Sequence, residues 1–401
     1  MRISTSYMSQ AFIDAMDQQQ TALAQTQQQV STGLRYTQAA QDPAAASTAL
    51  GVQATLDQLT QYGTNANLAQ SRLSIEGSTL SSLTNLLQSV RSLALEGANA
   101  TQTPETRASI ATNIQQQISG LVQIANTQDG SGQYLFAGSA TGTAPFAQTG
   151  AGYAYAGNQV QRSIQIGTNR TVADGDSGAA LFQQIRNGNG TFVVAANAAN
   201  TGAAVVGSNS VTDPAAWLAG KPPYTLSFSS PTTYSVTDST GATVVNNATY
   251  TDGQTISFNG AQIEVSGAPA AGDSFTVASS ANQDMFTTLQ SLVTAFNNAQ
   301  EGSVGQAQLL NTVNRAIEAL DQSLTNVSNV QSSVGARLNA LTTQDSTNSD
   351  VTLQLKSTLS TLRDADYATA ITTLNQQMTG LQAAQASYVK LQGLSLFNYI
   401  Q

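Results

Sequence analysis

The 401-residue chain has no cysteine and no histidine. Without thiols there are no disulfides and no thiolate nucleophile; without imidazole there is no Ser–His pair and no histidine ligand for a metal. Charge is scarce too. Only 9% of residues are charged, 14 basic against 23 acidic, for a formal net charge of -9. That balance argues against a phosphate-binding surface, so no nucleic-acid partner is expected. No run of 18 or more apolar residues occurs, and the opening MRISTSYMSQAF lacks the apolar stretch and cleavage site of a secretory signal. The expectation is a soluble protein with no membrane insertion, exported, if at all, without a cleaved signal peptide. Polarity comes from Gln, Asn, Ser and Thr, whose neutral side chains do not repel one another when many copies lie side by side.

What is present is a nested pattern, helical at both ends and β-like in the middle. Steps of three and four from Ile13 give Met16, Gln20, Leu23, Gln27, Val30 and Leu34, a heptad seam with glutamine at alternate core sites. Gly33 and Asp42-Pro43 interrupt it, and Asp42 can cap a new helix with Pro43 in its first turn. That helix carries Leu50, Leu56, Leu59, Leu68, Leu73, Leu80, Leu83, Leu87 and Val90; another starts at Thr103-Pro104-Glu105 and closes at Asp129-Gly130. Only Pro43 and Pro104 precede Pro145, and none follows Pro269. Between 141 and 280 the segments 225–230, 233–238, 254–267 and 273–279 alternate apolar with polar residues, and Asn259-Gly260 is a hairpin signal. A disordered linker is the alternative there, but strict alternation of Ile, Val, Phe and Tyr argues for strands. Helix resumes near Asp284, and Val313, Ile317, Leu320, Leu324, Val327, Gln331, Val334, Leu338 and Leu341 form the firmest coiled-coil-like run. Leu355, Leu359 and Leu362 lead into a last helical stretch, with no proline to stop it.

The expected architecture is therefore α+β multidomain: terminal coiled-coil helices (1–45 with 360–401), a long-helix bundle core (46–140 with 281–359) and an inserted, antiparallel β-rich domain (141–280). Burying a Leu, Met or Val contributes about 1.5–3 kcal/mol, whereas fixing one residue's backbone costs about 1–2 kcal/mol. Closing a loop of some hundreds of residues adds about 5 kcal/mol. Seams diluted by glutamine are marginal against those costs. This points to a structural protein whose terminal helices order on assembly. A glycosidase-like enzyme would need paired carboxylates, but Asp174, Asp176, Asp252, Glu264 and Asp273 sit in contexts that read as solvated turns. A self-associating translocator or tip protein of a secretion machine fits the physics equally well.

Other motifs read as structural. GSGQYLFAGS (130–139) lacks the Lys-Ser/Thr and the strand–loop–helix setting of a phosphate loop, which leaves a turn with an aromatic anchor. Asn-X-Ser/Thr triplets at Asn99, Asn169, Asn189, Asn247 and Asn326 are expected by chance in so Asn- and Thr-rich a chain. Trp217 and Pro222-Pro223-Tyr224 read as packing at a domain edge. No cofactor or metal site is expected.

QQVSTGLRYTQAAQDPAAA (28–46) and TLRDADYATAITTLNQQ (361–377) resemble the N- and C-terminal signatures of the flagellin family, and SNVQSSVGARLNAL (328–341) is similar to its C-terminal core helix. The MRIST start, QYLFAGSATGTAPF (133–146) and 159–182 resemble the family's hook-associated members more than its filament subunits. The resemblance implies a non-catalytic subunit of the bacterial flagellum at the hook–filament junction, carried out by type III export. It implies self-association in a ring, and as partners a FlgK-like hook-associated protein, flagellin and a FlgN-like export chaperone. A filament subunit is the alternative within the family. On this reading 31–43 connect inner and outer layers, and the assembly or chaperone surface comprises Met16, Leu23, Val30, Leu34, Leu362, Tyr367, Ile371, Leu374, Met378, Leu381 and Tyr388. The chain departs from the family pattern at Gln41 and at Tyr36-Thr37.

Overall fold

The structure, a computed structural model, describes residues 5–150 and 152–397. Residues 1–4 of the MRIST start lie outside the described residues. Three helices open the chain: α1 (Thr5–Thr32), α2 (Pro43–Ala98) and α3 (Pro104–Ala125). Two short hairpins follow, β1 (Phe146–Thr149) with β2 (Gly152–Tyr155) and β3 (Ser163–Gly167) with β4 (Arg170–Ala173). After a π-helical turn at Ala179–Gln183 come β5 (Ile185–Arg186), β6 (Phe192–Ala196), β7 (Val205–Val211) and the short α4 (Pro214–Ala219). Strands β8 (Tyr224–Ser230), β9 (Thr233–Thr237), β10 (Thr243–Thr249), β11 (Gln254–Phe258), β12 (Ala261–Ser266), β13 (Ser274–Ser279) and β14 (Asn282–Gln283) complete the insert. Helices α5 (Met285–Asn297), α6 (Gly302–Arg363) and α7 (Tyr367–Phe397) close the chain.

The chain divides into two compact units, Met1–Thr64 with Gln344–Gln401, and Asn65–Thr343. In the second, the helical core follows the heptads. Leu73, Leu80, Leu87 and Ala94 of α2 are fully buried at seven-residue spacing, and Val313, Leu320, Val327, Val334 and Leu341 of α6 repeat the same interval. Ile110, Ile114, Ile118 and Leu121 of α3 and Phe286, Leu289, Leu292 and Phe296 of α5 fill the same core. α3 is capped as expected, the Thr103 hydroxyl accepting from Thr106 N–H (3.3 Å), and α5 starts near Asp284 as expected, where the Asp284 carboxylate accepts from Thr287 N–H (2.6 Å).

The insert holds a separate core. An antiparallel five-stranded sheet, β10-β9-β8-β13-β6, and a three-stranded one, β11-β12-β7, share Phe192, Tyr224, Phe228, Ile256, Ile263, Phe275 and Val277. Asn259 (φ 41°) and Gly260 (φ 76°) turn the predicted β11–β12 hairpin, both left-handed as a two-residue turn of this kind requires. Trp217 is buried between Phe192 and Tyr224. β7 is an edge strand, and α6 covers that edge. Asn311 accepts from Val206 N–H (2.8 Å) and donates to Ala204 O (2.9 Å), and Asn314 donates to Val206 O (2.8 Å). An unpaired edge is thereby satisfied by side chains one helical turn apart.

Two expectations needed correction in the first unit. Gln20 and Gln27 are exposed, and the buried position between Leu23 and Val30 is Thr26. The covered stripe steps Leu23–Thr26–Val30, three then four, which fits one helix face as well as the four-then-three step through Gln27. The final helical run is also broken, at 364–366, although no proline stands there. Leu34 and Asp364 form an isolated antiparallel bridge, with Arg35 N–H donating to Arg363 O (2.7 Å) and Ala365 N–H to Gly33 O (2.9 Å). Tertiary pairing takes the backbone groups that a continuous helix would have used.

Candidate assembly interface

α1 and α7 pack against each other as an antiparallel pair. The Ser9 and Tyr388 hydroxyls lie 3.4 Å apart at one end, Gln19 lies beside Gly380 in the middle, and Gly33 meets Tyr367 at the other end. The half-buried face of α1 carries Ile13, Met16, Leu23 and Val30, and that of α7 carries Leu374, Gln377, Leu381, Ala384 and Tyr388. Among the described side chains of the two helices only Thr26 and Ala370 are buried. The Thr26 hydroxyl donates to Ala22 O (3.0 Å), so it enters the seam with its polar group satisfied. Gln377 is not so well served, because its side-chain oxygen is buried without a hydrogen-bond partner. Such an orphan costs about 1–3 kcal/mol.

The sequence-derived surface separates into two sets. Met16, Leu23, Val30, Leu34, Leu362, Leu374, Leu381 and Tyr388 are half-buried, whereas Tyr367, Ile371 and Met378 are 52%, 46% and 43% exposed. Those three, spaced by four and seven, share one face of α7, and exposed Val389 extends it. Sequence reading missed Val389, Tyr7, Met8 and Leu353, all exposed, because none falls in a seam register. It also placed Leu50 in the α2 seam, where the structure leaves it 71% exposed.

The connector between α1 and α2 is held by short-range polar contacts. Gly33 has a left-handed φ of 71°, and a Cβ there would lie 2.8 Å from the Tyr367 hydroxyl. Arg35 pairs with Asp42 at 2.9 Å, and Asp42 accepts from Ala45 N–H (3.0 Å), capping α2 as the sequence predicts. Gln41, where the chain departs from the family pattern, accepts from Thr37 N–H (2.8 Å). Asp366 starts α7 by accepting from Ala368 N–H (3.0 Å) and the Thr369 hydroxyl (2.8 Å), and these bonds hold its carboxyl below the usual carboxylate range. Beside the connector, Leu34, Tyr36, Ala46, Ala49, Leu50 and Arg363 line an apolar pocket of about 270 Å³.

The carboxylates considered for catalysis are engaged in structure. Asp174 and Asp273 are buried, which corrects their reading as solvated turns. Asp174 pairs with Arg162, and Asp273 accepts from Thr201 N–H (2.8 Å) and Ala270 N–H (2.8 Å). Asp176 forms a two-bond pair with Arg337 (2.9 Å each), Asp252 accepts from Gly267 N–H (2.5 Å), and Glu264 stands on β12 beside Gly207. The 130–139 segment is the predicted turn: Asp129 accepts from Ser131 and Gln133 N–H (2.8 and 3.0 Å), and Phe136 is the buried anchor. Among the described residues no helix is long and apolar enough to cross a membrane.

Three family models match the chain. Residues 3–141 match the bacterial flagellin N-terminal helical region, 195–279 the D2-like domain of flagellar hook-associated protein 1, and 317–400 the bacterial flagellin C-terminal helical region. Flagellar hook-associated protein 3 of Salmonella typhimurium is 27% identical over 398 residues, 99% of each chain. The crystal structure of Xanthomonas campestris FlgL superposes with a TM-score of 0.72 at 32% identity, covering 77% of this chain and 99% of that one. Hook-associated protein 3 of Legionella pneumophila gives 0.73 at 31% identity, covering 78% and 98%.

Proposed function

From the premise that the chain belongs to the FlgL family of flagellar hook-associated proteins, we propose that it is a structural, non-catalytic junction subunit whose terminal helices complete their burial only between copies. The observation that carries this is the near-absence of buried side chains in α1 and α7 beside the fully buried heptads of α2 and α6. A helix pair that leaves its seam half-wet gains too little to be rigid alone, and neighbouring helices supply the missing surface. In this reading 1–45 with 360–401 form the inner layer, 46–140 with 281–359 the core and 141–280 the outward-facing insert. Copies close into a ring that meets a FlgK-like protein on the hook side and flagellin on the filament side. The match of 195–279 to a domain of hook-associated protein 1 supports the hook-associated branch over a filament subunit.

Export precedes assembly in this scheme. The chain leaves unfolded through the flagellar type III apparatus and acts outside the cell. A FlgN-like chaperone holds the Tyr367, Ile371 and Met378 face of α7 until then. A chain without cysteine brings no disulfide to a narrow channel.

Deletion and complementation test the junction role. Loss of swimming, with intact hooks and flagellin spilled into the medium, is expected on deletion, and restoration by the intact gene completes the result. Normal filaments in the deletion strain would overturn the assignment. Limited proteolysis of the monomer tests the ordering of its ends: cleavage within roughly the first and last forty residues is expected, and their survival would refute it.

A further inference from the structure

The helical core buries an ionic cluster that no assembly role uses. Arg72 on α2 pairs with Asp129 and donates to Tyr134 O (3.0 Å); Arg162 pairs with Asp174; Arg337 on α6 pairs with Asp176. Three guanidinium groups thus face three aspartates. Glu76, one turn after Arg72, is a fourth acid without a cation of its own, and it is fully buried. Its Oε1 accepts from Asp176 N–H (3.2 Å), while its Oε2 is buried with no hydrogen-bond partner. Gly175 lies directly opposite: a Cβ there would sit 3.9 Å from that Oε2, 3.8 Å from Arg72 Nε and 3.5 Å from Leu135 O. Arg72 Nε, bordering the same position, is likewise buried without a hydrogen-bond partner.

We propose that Glu76 is protonated in the folded chain and serves as a proton-dependent clasp, fastening the 174–178 segment to α2 and α6 and releasing it when the proton is lost. The charge count is the reason. A neutral Glu76 leaves three cations balanced by three anions, whereas an ionised one adds an unpaired buried charge beside Asp176. The charged groups acting on it are Asp176 of the 174–178 segment and Arg337 of α6. Arg72, one turn earlier on α2, pairs with Asp129 and stands 4.0 Å from Asp174, which Arg162 also pairs. Burial, reinforced by Asp176, pushes Glu76 up to about 8, against the opposing pull of Arg337. With histidine absent from the chain, this puts a titrating group in the neutral range where none of the ordinary kind exists.

The sign follows from linkage. The closed clasp binds a proton that the opened, hydrated Glu76 releases at its ordinary value near 4.5. Opening therefore rises about tenfold per pH unit between that value and about 8, then levels off. Amide hydrogen exchange at Asp176, Ser177 and Gly178 in the full chain, corrected for intrinsic exchange, reads this directly. The wild type is expected to show that slope, and Glu76→Gln a flat profile with wild-type protection at pH 5.5. A flat wild-type profile, an unchanged slope in Glu76→Gln, or loss of protection in Glu76→Gln at every pH would overturn the proposal. If Glu76→Gln does not fold, infrared spectroscopy of the wild type decides. The carbonyl stretch of an un-ionised buried carboxyl at neutral pH is expected, and its absence refutes the clasp.

Discussion

Replacing Ile371 and Met378 together by alanine removes part of the exposed face of α7 while sparing the α1–α7 seam. The two side chains are 46% and 43% exposed, so about half of each remains to be covered by a neighbour. Full burial of such a side chain contributes about 1.5–3 kcal/mol, so the uncovered half corresponds to about 1 kcal/mol each and about 2 kcal/mol per copy. At 1.4 kcal/mol per decade this weakens each inter-copy contact about 30-fold. Alanine is the best helix former, so the monomer's helicity should hold or rise slightly. Co-expression of wild-type and variant chains in a deletion strain, followed by their ratio in isolated flagella, gives the readout: the variant should be strongly under-represented and swimming alone on it impaired. Leu374→Ala with Leu381→Ala is the contrast, because those leucines are half-buried in the seam and their loss should lower helicity in the monomer itself. Equal incorporation of the Ile371→Ala/Met378→Ala chain would refute the reasoning.

Gly33→Ala meets both a left-handed φ and the Tyr367 hydroxyl, so α1 should loosen from the connector at a cost of about 1–2 kcal/mol, seen as faster proteolysis near residue 33. Asn311→Ala with Asn314→Ala strips the cover from the β7 edge and orphans both backbone groups of Val206 and the Ala204 carbonyl; a loss of about 1–3 kcal/mol per buried orphan should appear as a lower melting temperature. Glu318, which accepts from the Asn209 amide, is pushed up to about 7, chiefly by burial. Because that value is raised, its contribution is complete below about 4.5 and is lost as pH rises through about 7, by about 1.4 kcal/mol per pH unit between them. Glu318→Gln should flatten that part of the stability–pH curve, and denaturant melts at pH 5 and pH 8 check it.

The surface on α7 shows how far residue spacing carries. Spacing identified Tyr367, Ile371, Leu374, Met378 and Leu381 as one apolar arc, and they do lie on α7. It did not tell the covered members from the open ones, since the boundary depends on where α1 lies against the arc. The same holds for Gln20 and Gln27, which the heptad count put in the core and the pairing left outside. Leu50 obeys the periodicity of α2 and yet stays exposed.

By itself the sequence determined the heptads of α2 and α6, the caps at Asp42 and Thr103, and the turn at Asn259-Gly260, because each is set by residues within a turn or two of one another. It also determined that no thiol or imidazole chemistry exists here. Only the tertiary structure decided that the last helical run breaks at 364–366, that Asn311 and Asn314 cover a strand edge, and that Asp176 and Arg337 meet Glu76. Those partners lie roughly 100 to 330 residues apart, and what brings them together is the burial of the two cores, which local spacing does not encode.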